Sequence, residues 1–270
     1  MASLAKALGR VMRKNFKMNA AWLPLTTPFR LGDYGLWRGG VFQPLGNVGD
    51  DFGVTIDAED GEPVSLDFES KGVVVVDEDA GASGSTKGAN VVDGEVGLVI
   101  RASQSQSFVI KAPTLTSRRM TNVAKVADQI DRLRDQGKGP PWSWRYKIVT
   151  EIFTGDNVTI LATIESDTTI RLSGRADTAR EILNAAIKAD VSADKSLGLS
   201  FLGATGPVGL RLARIKNSGR VAVSFGGGAG GGDDDDGDEE IADDLVIEES
   251  DWDSDPDDDP DDAVGADAAT

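Results

Sequence analysis

The chain contains no histidine and no cysteine. Without histidine there is no imidazole base and no imidazole metal ligand. Without cysteine there is no thiolate nucleophile, thiolate zinc site, iron–sulfur cluster or disulfide. Carboxylates, lysine or serine alone can still support catalysis, but they form no recognisable constellation, so the expectation is a protein that is not an enzyme and needs no cofactor or metal. Absence of cysteine fits a cytoplasmic protein. Long apolar runs are also missing: none reaches the roughly 18 residues of a membrane helix. The first basic residues are not followed by the apolar stretch of a secretory signal. Positive charge, finally, is missing from one end. From Asp233 to Thr270 there are twenty Asp or Glu and no Lys or Arg.

That last absence organises the rest. Taking those twenty from the chain's 45 acids leaves 25 against 28 bases, so residues 1–232 carry about +3 while the tail carries −20. The pI near 4.4 describes the appendage. At the other end, residues 1–20 hold Lys6, Arg10, Arg13, Lys14 and Lys17 and no acid. A cationic end and a polyanionic end suggest a lock between them, or two separate partner-binding ends. The spacing predicts an amphipathic helix over 3–18, with Leu4, Leu8, Val11, Met12 and Phe16 on one face and the five bases on the other. Such a helix reads either as an ordinary surface helix or as a lipid-contacting one, with about 1 kcal/mol per Lys or Arg near an anionic membrane. No nucleic-acid partner is expected, because no aromatic platform interleaved with bases is recognised elsewhere.

Between the ends the pattern predicts an α+β fold: a mostly antiparallel, twisted sheet with the first helix and about two further helices. Trp22–Pro28 is an extended linker. Gly35–Leu45 contains strands turned at Gly39-Gly40, and Phe52–Ile56, Val64–Phe68, Val73–Val76, Glu95–Arg101 and Ser107–Lys111 are strands. Asp57–Pro63 is an acidic turn, and Asp79–Asn90 is a long polar loop. A helix capped by Thr116 or Ser117 carries Met120, Val123, Ala127, Ile130 and Leu133 and ends at Gly137. Arg145–Thr154 and Asn157–Glu165 are predicted to form a hairpin about a Gly155-Asp156 turn, extended by Thr168–Leu172. Asp177–Ala189 is a second interior helix with Ile182, Leu183, Ala186 and Ile187 inward. Leu197–Phe201, Val208–Ile215 and Arg220–Phe225 are final strands.

The predicted organisation is therefore a membrane-active α+β domain over 1–225, a flexible glycine linker over 226–232 with Gly226 and Gly232 at its ends, and an acidic disordered tail over 233–270. The tail carries Ile241, Leu245, Ile247 and Trp252, an apolar set suited to docking. The tail reads as a solubility tail or as an internal inhibitor held at high local concentration by the linker. Gly137-Lys138 is no phosphate loop, because Gly139 stands where Ser or Thr is required. Asp57–Gly61 lacks the ligand spacing of a calcium loop. The predicted hairpin places Ile148, Ile152, Val158, Ile160 and Ile164 at alternating positions, which suits a half-buried soluble sheet and also a membrane barrel.

Three stretches resemble the pore-forming amino-terminal domain of gasdermins. LGRVMRKNFKMNAAWLPLT is similar to that family's basic first helix and following extended segment, here with Leu23-Pro24. VAKVADQIDRLRDQGK followed by YKIVTEIFT is similar to its helix, Gly-containing turn and hydrophobic strand, through Tyr146, Val149, Thr150 and Glu151. VGLRLARI (Val208–Ile215) resembles a later strand of the family. The resemblance implies that two β-hairpin regions, about Val73–Lys111 and Arg145–Leu172, rearrange into membrane-spanning strands of an oligomeric pore. It implies anionic lipid at the first helix, self-association, and a C-terminal segment that keeps the chain latent in the cytoplasm until a protease releases it to the cell membrane, in cell death or antiviral defence. The chain departs from the family in lacking both the amino-terminal cysteine of bacterial members and the globular C-terminal inhibitor of animal members. The alternative reading of the residues is a non-enzymatic adaptor or scaffold whose acidic, Trp-containing tail docks on a basic partner.

Overall fold

A computed structural model describes residues 4–21, 28–38, 40–78, 96–143, 145–174, 181–184, 189–215 and 221–224. Helix α1 (Leu4–Phe16) and strand β1 (Asn19–Ala20) precede the hairpin β2 (Asp33–Arg38) and β3 (Val41–Asn47). A short helix α2 (Val48–Phe52) leads to β4 (Ala58–Asp60), β5 (Val64–Glu69) and β6 (Val73–Glu78). Then come β7 (Val96–Ala102), β8 (Phe108–Met120), α3 (Val123–Asp135), β9 (Lys147–Thr163), β10 (Thr168–Gly174), α4 (Glu181–Asn184), β11 (Ala189–Ala193), β12 (Leu197–Ile215) and β13 (Val221–Ser224). Among the described residues every strand pairing is antiparallel. The α+β expectation holds.

The strands form two sheets. The larger is centred on the long strands β8, β9 and β12, with β1 and β13 on β12, β4 and β5 on β8, and β2 and β3 beyond β9. The smaller has the order β11-β10-β7-β6. Three layers result. On one face of the large sheet, Ala7, Leu8 and Met12 of α1 pack on Leu66, Phe108, Ile110, Ala112, Val158, Ile160 and Ala162. On the other face, Val109 and Leu161 meet Leu98, Ile100, Ile170 and Leu172 of the small sheet, closed by Ile182 and Leu183 of α4. At one end of the large sheet, α3 buries Val126, Ala127 and Ile130 against Ile148, Met120 and Tyr34. Each fully buried Leu, Ile or Met contributes about 1.5–3 kcal/mol.

The first surprise is β9. The predicted hairpin about Gly155-Asp156 is one unbroken strand. Gly155 lies opposite Leu115 on one side and Gly206 on the other, so its backbone bonds into both ladders. Its side is blocked: a Cβ there would stand 2.3 Å from Val158 Cγ2 and 2.9 Å from Val208 Cγ2. The glycine serves close packing, and Asn157, with a left-handed φ of 54°, takes up a local irregularity. Replacing Gly155 with valine is expected to destabilise the fold by about 1–3 kcal/mol through overpacking. Urea unfolding checks this; an unchanged midpoint would return the position to a turn-like role.

Other boundaries move for related reasons. Thr116 and Ser117 do not cap a helix, because β8 runs through them to Met120, held between β9 and the acidic strand β4, where Glu59 and Asp60 pair with Arg119 and Arg118. Helix α3 starts three residues past Met120, and Asn122 before it spends its side chain on Thr55 O and Asp57 N. Phe52–Ile56 is not a strand: Phe52 closes α2, whose cap is the Asn47 side chain accepting from Gly49 N. Ala189 begins β11 rather than ending a helix, although Ile182 and Leu183 are buried as expected. Ala186, Ile187, the expected polar loop Asp79–Asn90, most of the expected linker Trp22–Pro28, and the stretches expected as glycine linker and acidic tail lie outside the described residues.

Candidate functional site

The predicted cationic helix forms, and its apolar face is docked on the large sheet. Phe16 meets Phe68 edge-on at 5.5 Å. Arg10 and Lys14 point to solvent, whereas Lys6, Arg13 and Lys17 are half-buried and engaged in contacts of their own. The helix end is fixed. Lys17 adopts a left-handed φ of 55°. Arg211 Nε donates to its carbonyl oxygen at 3.4 Å, and Arg211 Nη1 donates to Glu151 Oε2 at 2.6 Å. The Arg211 guanidinium also lies over the Phe153 ring, 5.2 Å from its centroid. Met18 seats on Gly209, where a Cβ would come within 2.2 Å of its sulfur.

In the folded chain Ile148, Ile152, Val158, Ile160 and Ile164 do not share one face. Opposite Arg211 is Glu151, but opposite Leu212 is Val149, so β9 carries an extra residue at Thr150 and its side-chain phase shifts there. Ile148 therefore packs with α3, and Ile152 turns to the opposite face beside Val149 and Leu210. Val158 and Ile160 lie under α1, and Ile164 stands 47% exposed past the end of β9. Ile241, Leu245, Ile247, Trp252, Gly226 and Gly232 fall outside the described residues.

A feature missed in the sequence takes their place. Strands β7 and β10 pair in the small sheet, and their continuations β8 and β9 pair in the large one. The register is the same in both. Each step forward on one strand matches one step back on the other, from Val96 opposite Gly174, through Ala102 opposite Thr168 and Phe108 opposite Ala162, to Arg119 opposite Glu151. The bend between the sheets spans 103–107 on one strand and 163–167 on the other. Neighbouring connections cross between the sheets too, β5 into β6 and β11 into β12.

Side chains hold the bend. Thr163 Oγ1 accepts from Ser107 N at 3.2 Å, and Thr163 N donates to Ser107 O at 3.0 Å. Ser70 Oγ accepts from Phe108 N, Ser103 Oγ donates to Gly72 O, and Thr168 Oγ1 donates to Glu165 O. Asp194 Oδ1 accepts from Thr169 N at 2.8 Å, and that N–H holds its carboxyl below the usual carboxylate range. The small sheet is two-faced. Leu98, Ile100, Ile170 and Leu172 are buried inward; Val74, Val76, Arg101 and Arg171 are exposed outward.

A second cluster, Tyr34, Phe52, Trp142 and Tyr146, has ring centroids 5.4–6.1 Å apart. Rings that close pack on one another and leave no room for a cation between them. Burial, with a hydrogen bond to Asp51, pushes the Tyr34 hydroxyl up to about 12. Among the described residues no helix is long and apolar enough to cross a membrane, which says nothing of crossing by strands.

No family model matches the chain, and no curated protein matches it. Among solved structures, a bacterial gasdermin from Bradyrhizobium tropiciagri is similar at 15% identity, over 83% of this chain and 91% of that one, with a TM-score of 0.35. The gasdermin A3 membrane pore is similar at 12% identity, over 82% and 93%, with a TM-score of 0.31. Both are gasdermins, the family that the first helix and the Tyr146–Glu151 stretch resemble.

Proposed function

We propose that this chain is a latent, gasdermin-like membrane-permeabilising protein, without enzymatic activity. It rests in the cytoplasm until its acidic segment is cut off or released, then assembles with copies of itself on anionic membranes. The observation that carries this reading is the common register of β7–β8 and β9–β10. Strands that keep one register across a bend can straighten without breaking and re-forming their ladder. A membrane β-strand needs about 9–11 residues, lipid-facing on alternate positions. Residues 96–107 and 163–174 supply that length. On an extended backbone the even-numbered Leu98, Ile100, Ala102, Ile170 and Leu172 share one face, opposite Arg101, Ser103, Ser105, Thr169 and Arg171. Strands β6 and β11 are the two edges of the small sheet. Pairing the β6 edge of one copy with the β11 edge of the next is a head-to-tail contact that can close into a ring.

The cationic helix supplies the membrane contact. Arg10→Glu with Lys14→Glu is expected to weaken binding to phosphatidylserine vesicles by about 30-fold, on roughly 1 kcal/mol per base. Cosedimentation measures it. Both side chains are exposed, so the urea midpoint should stay in place. Unchanged vesicle binding would make α1 purely structural. The tail acts as the inhibitor through charge, −20 against a body near +3. The test of the whole reading is dye release from anionic vesicles by protein carrying a protease site within 226–232. Cut protein should release dye and intact protein should not; equal release, or none from either, counts against it. High salt should imitate part of the cut by screening.

A further inference from the structure

Regular strands keep even-numbered residues on one face. Here they do not. On the large sheet the even residues Phe108, Ile110, Val158 and Ile160 face α1, and the odd residues Val109 and Leu161 face the small sheet. On the small sheet it is the even residues Leu98, Ile100, Ile170 and Leu172 that face inward, against Val109 and Leu161. The side-chain phase therefore turns over once between Ala102 and Phe108, and once between Ala162 and Thr168. Each of those short segments contains one left-handed, non-glycine residue: Gln106, with φ 55°, and Asp167, with φ 52°. Glycine would sit there without strain; an L side chain is disfavoured there, glutamine more than aspartate.

We propose that Gln106 and Asp167 form a paired phase switch. In the left-handed conformation they keep the small sheet folded back with its apolar face hidden. In the extended conformation they place Leu98, Ile100, Ile170 and Leu172 on the same face as Phe108, Ile110, Ile160 and Ala162, with the register between the two strands unchanged. The residue type sets the balance. Glycine at both positions would lock the fold; the glutamine and aspartate leave it poised, and the hydrogen bonds of Ser107, Thr163 and Thr168 hold it closed. The purpose of the switch rests on the permeabilising reading above, but the switch itself belongs to the soluble chain.

Two double variants of the full chain push it in opposite directions: Gln106→Gly with Asp167→Gly, and Gln106→Val with Asp167→Val. Hydrogen exchange in solution reads the amides of β7 and β10 against those of 108–112 and 158–162. The glycine pair should raise protection in β7 and β10 severalfold, and the valine pair should lower it about tenfold or more, since a β-branched residue is poorly tolerated at positive φ. Protection in β8 and β9 should stay put. The switch is overturned if both pairs move protection the same way, or if β8 and β9 move with β7 and β10. Should the valine pair prove unfolded, the glycine pair decides, and unchanged or lower protection in β7 and β10 overturns the proposal. Dye release by linker-cut versions of the same proteins separates the two readings. If the exchange order holds while no version releases dye, the switch stands and the permeabilising function falls.

Discussion

Replacing Arg211 with alanine is expected to lower the unfolding free energy by about 3 kcal/mol, at the low end of the 3–5 kcal/mol seen when a buried ion pair loses one partner. The Glu151 side chain is 8% exposed, and Arg211 Nη1 lies 2.6 Å from its Oε2. Alanine would leave that carboxylate buried without its arginine, would uncover the Phe153 ring, and would remove the Arg211 bond to the Lys17 carbonyl at the end of α1. Arg211 itself is 28% exposed, so water can reach part of the site and the loss stays near the lower figure. Glu151→Gln together with Arg211→Met should recover most of the stability, because the stranded charge is gone. Urea unfolding of the single and double variants measures this. A single variant that unfolds with the parent would mean that Glu151 finds another partner or water.

Ile160→Arg is expected to have a larger effect and to abolish the soluble fold, with a loss of about 5 kcal/mol or more. Ile160 is 2% exposed, paired with Ile110 and Phe201 across its two ladders and covered by α1. Val74→Arg on the outer face of the small sheet, where the valine is 55% exposed, should change stability by no more than about 0.5 kcal/mol. Circular dichroism and urea curves compare the two. A folded Ile160→Arg protein would mean that α1 does not seal that face.

What the sequence made legible follows the local signals. Gly40, with a left-handed φ of 82°, does precede β3 where a turn is expected, and the apolar spacing of 4–16 does make a helix packed by that face. The interior helix around Val126, Ala127 and Ile130 is present, but it starts at Val123 and not after Thr116 or Ser117. Thr116 and Ser117 look like caps only until β8 is known to be held between β9 on one side and β4 and β5 on the other. Gly155-Asp156 has the composition of a turn, and nothing local reveals that Val158 and Val208 crowd it from above. The candidate site was hardest. Amphipathic alternation in β9 is visible in the sequence, but an extra residue at Thr150 and another near Asn157 divide it between two faces. The common register of β7–β8 and β9–β10 is a relation between segments far apart in the chain, and periodicity within one segment carries no trace of it.

The central claim is that β7 and β10 leave the fold and cross the membrane with their even-numbered residues to lipid. Because the chain has no native cysteine, single cysteines can be placed in turn at positions 168–174. The measurement is labelling of each by a water-soluble maleimide, in linker-cut protein bound to anionic vesicles and in intact protein free in solution. In vesicles, positions 169, 171 and 173 should label and positions 170 and 172 should be shielded, with the shielding removed by detergent. In solution, shielding at 170 and 172 should persist in detergent too mild to unfold the protein. Uniform labelling of all positions in the vesicle-bound state, or a pattern there that detergent leaves untouched, would contradict the account.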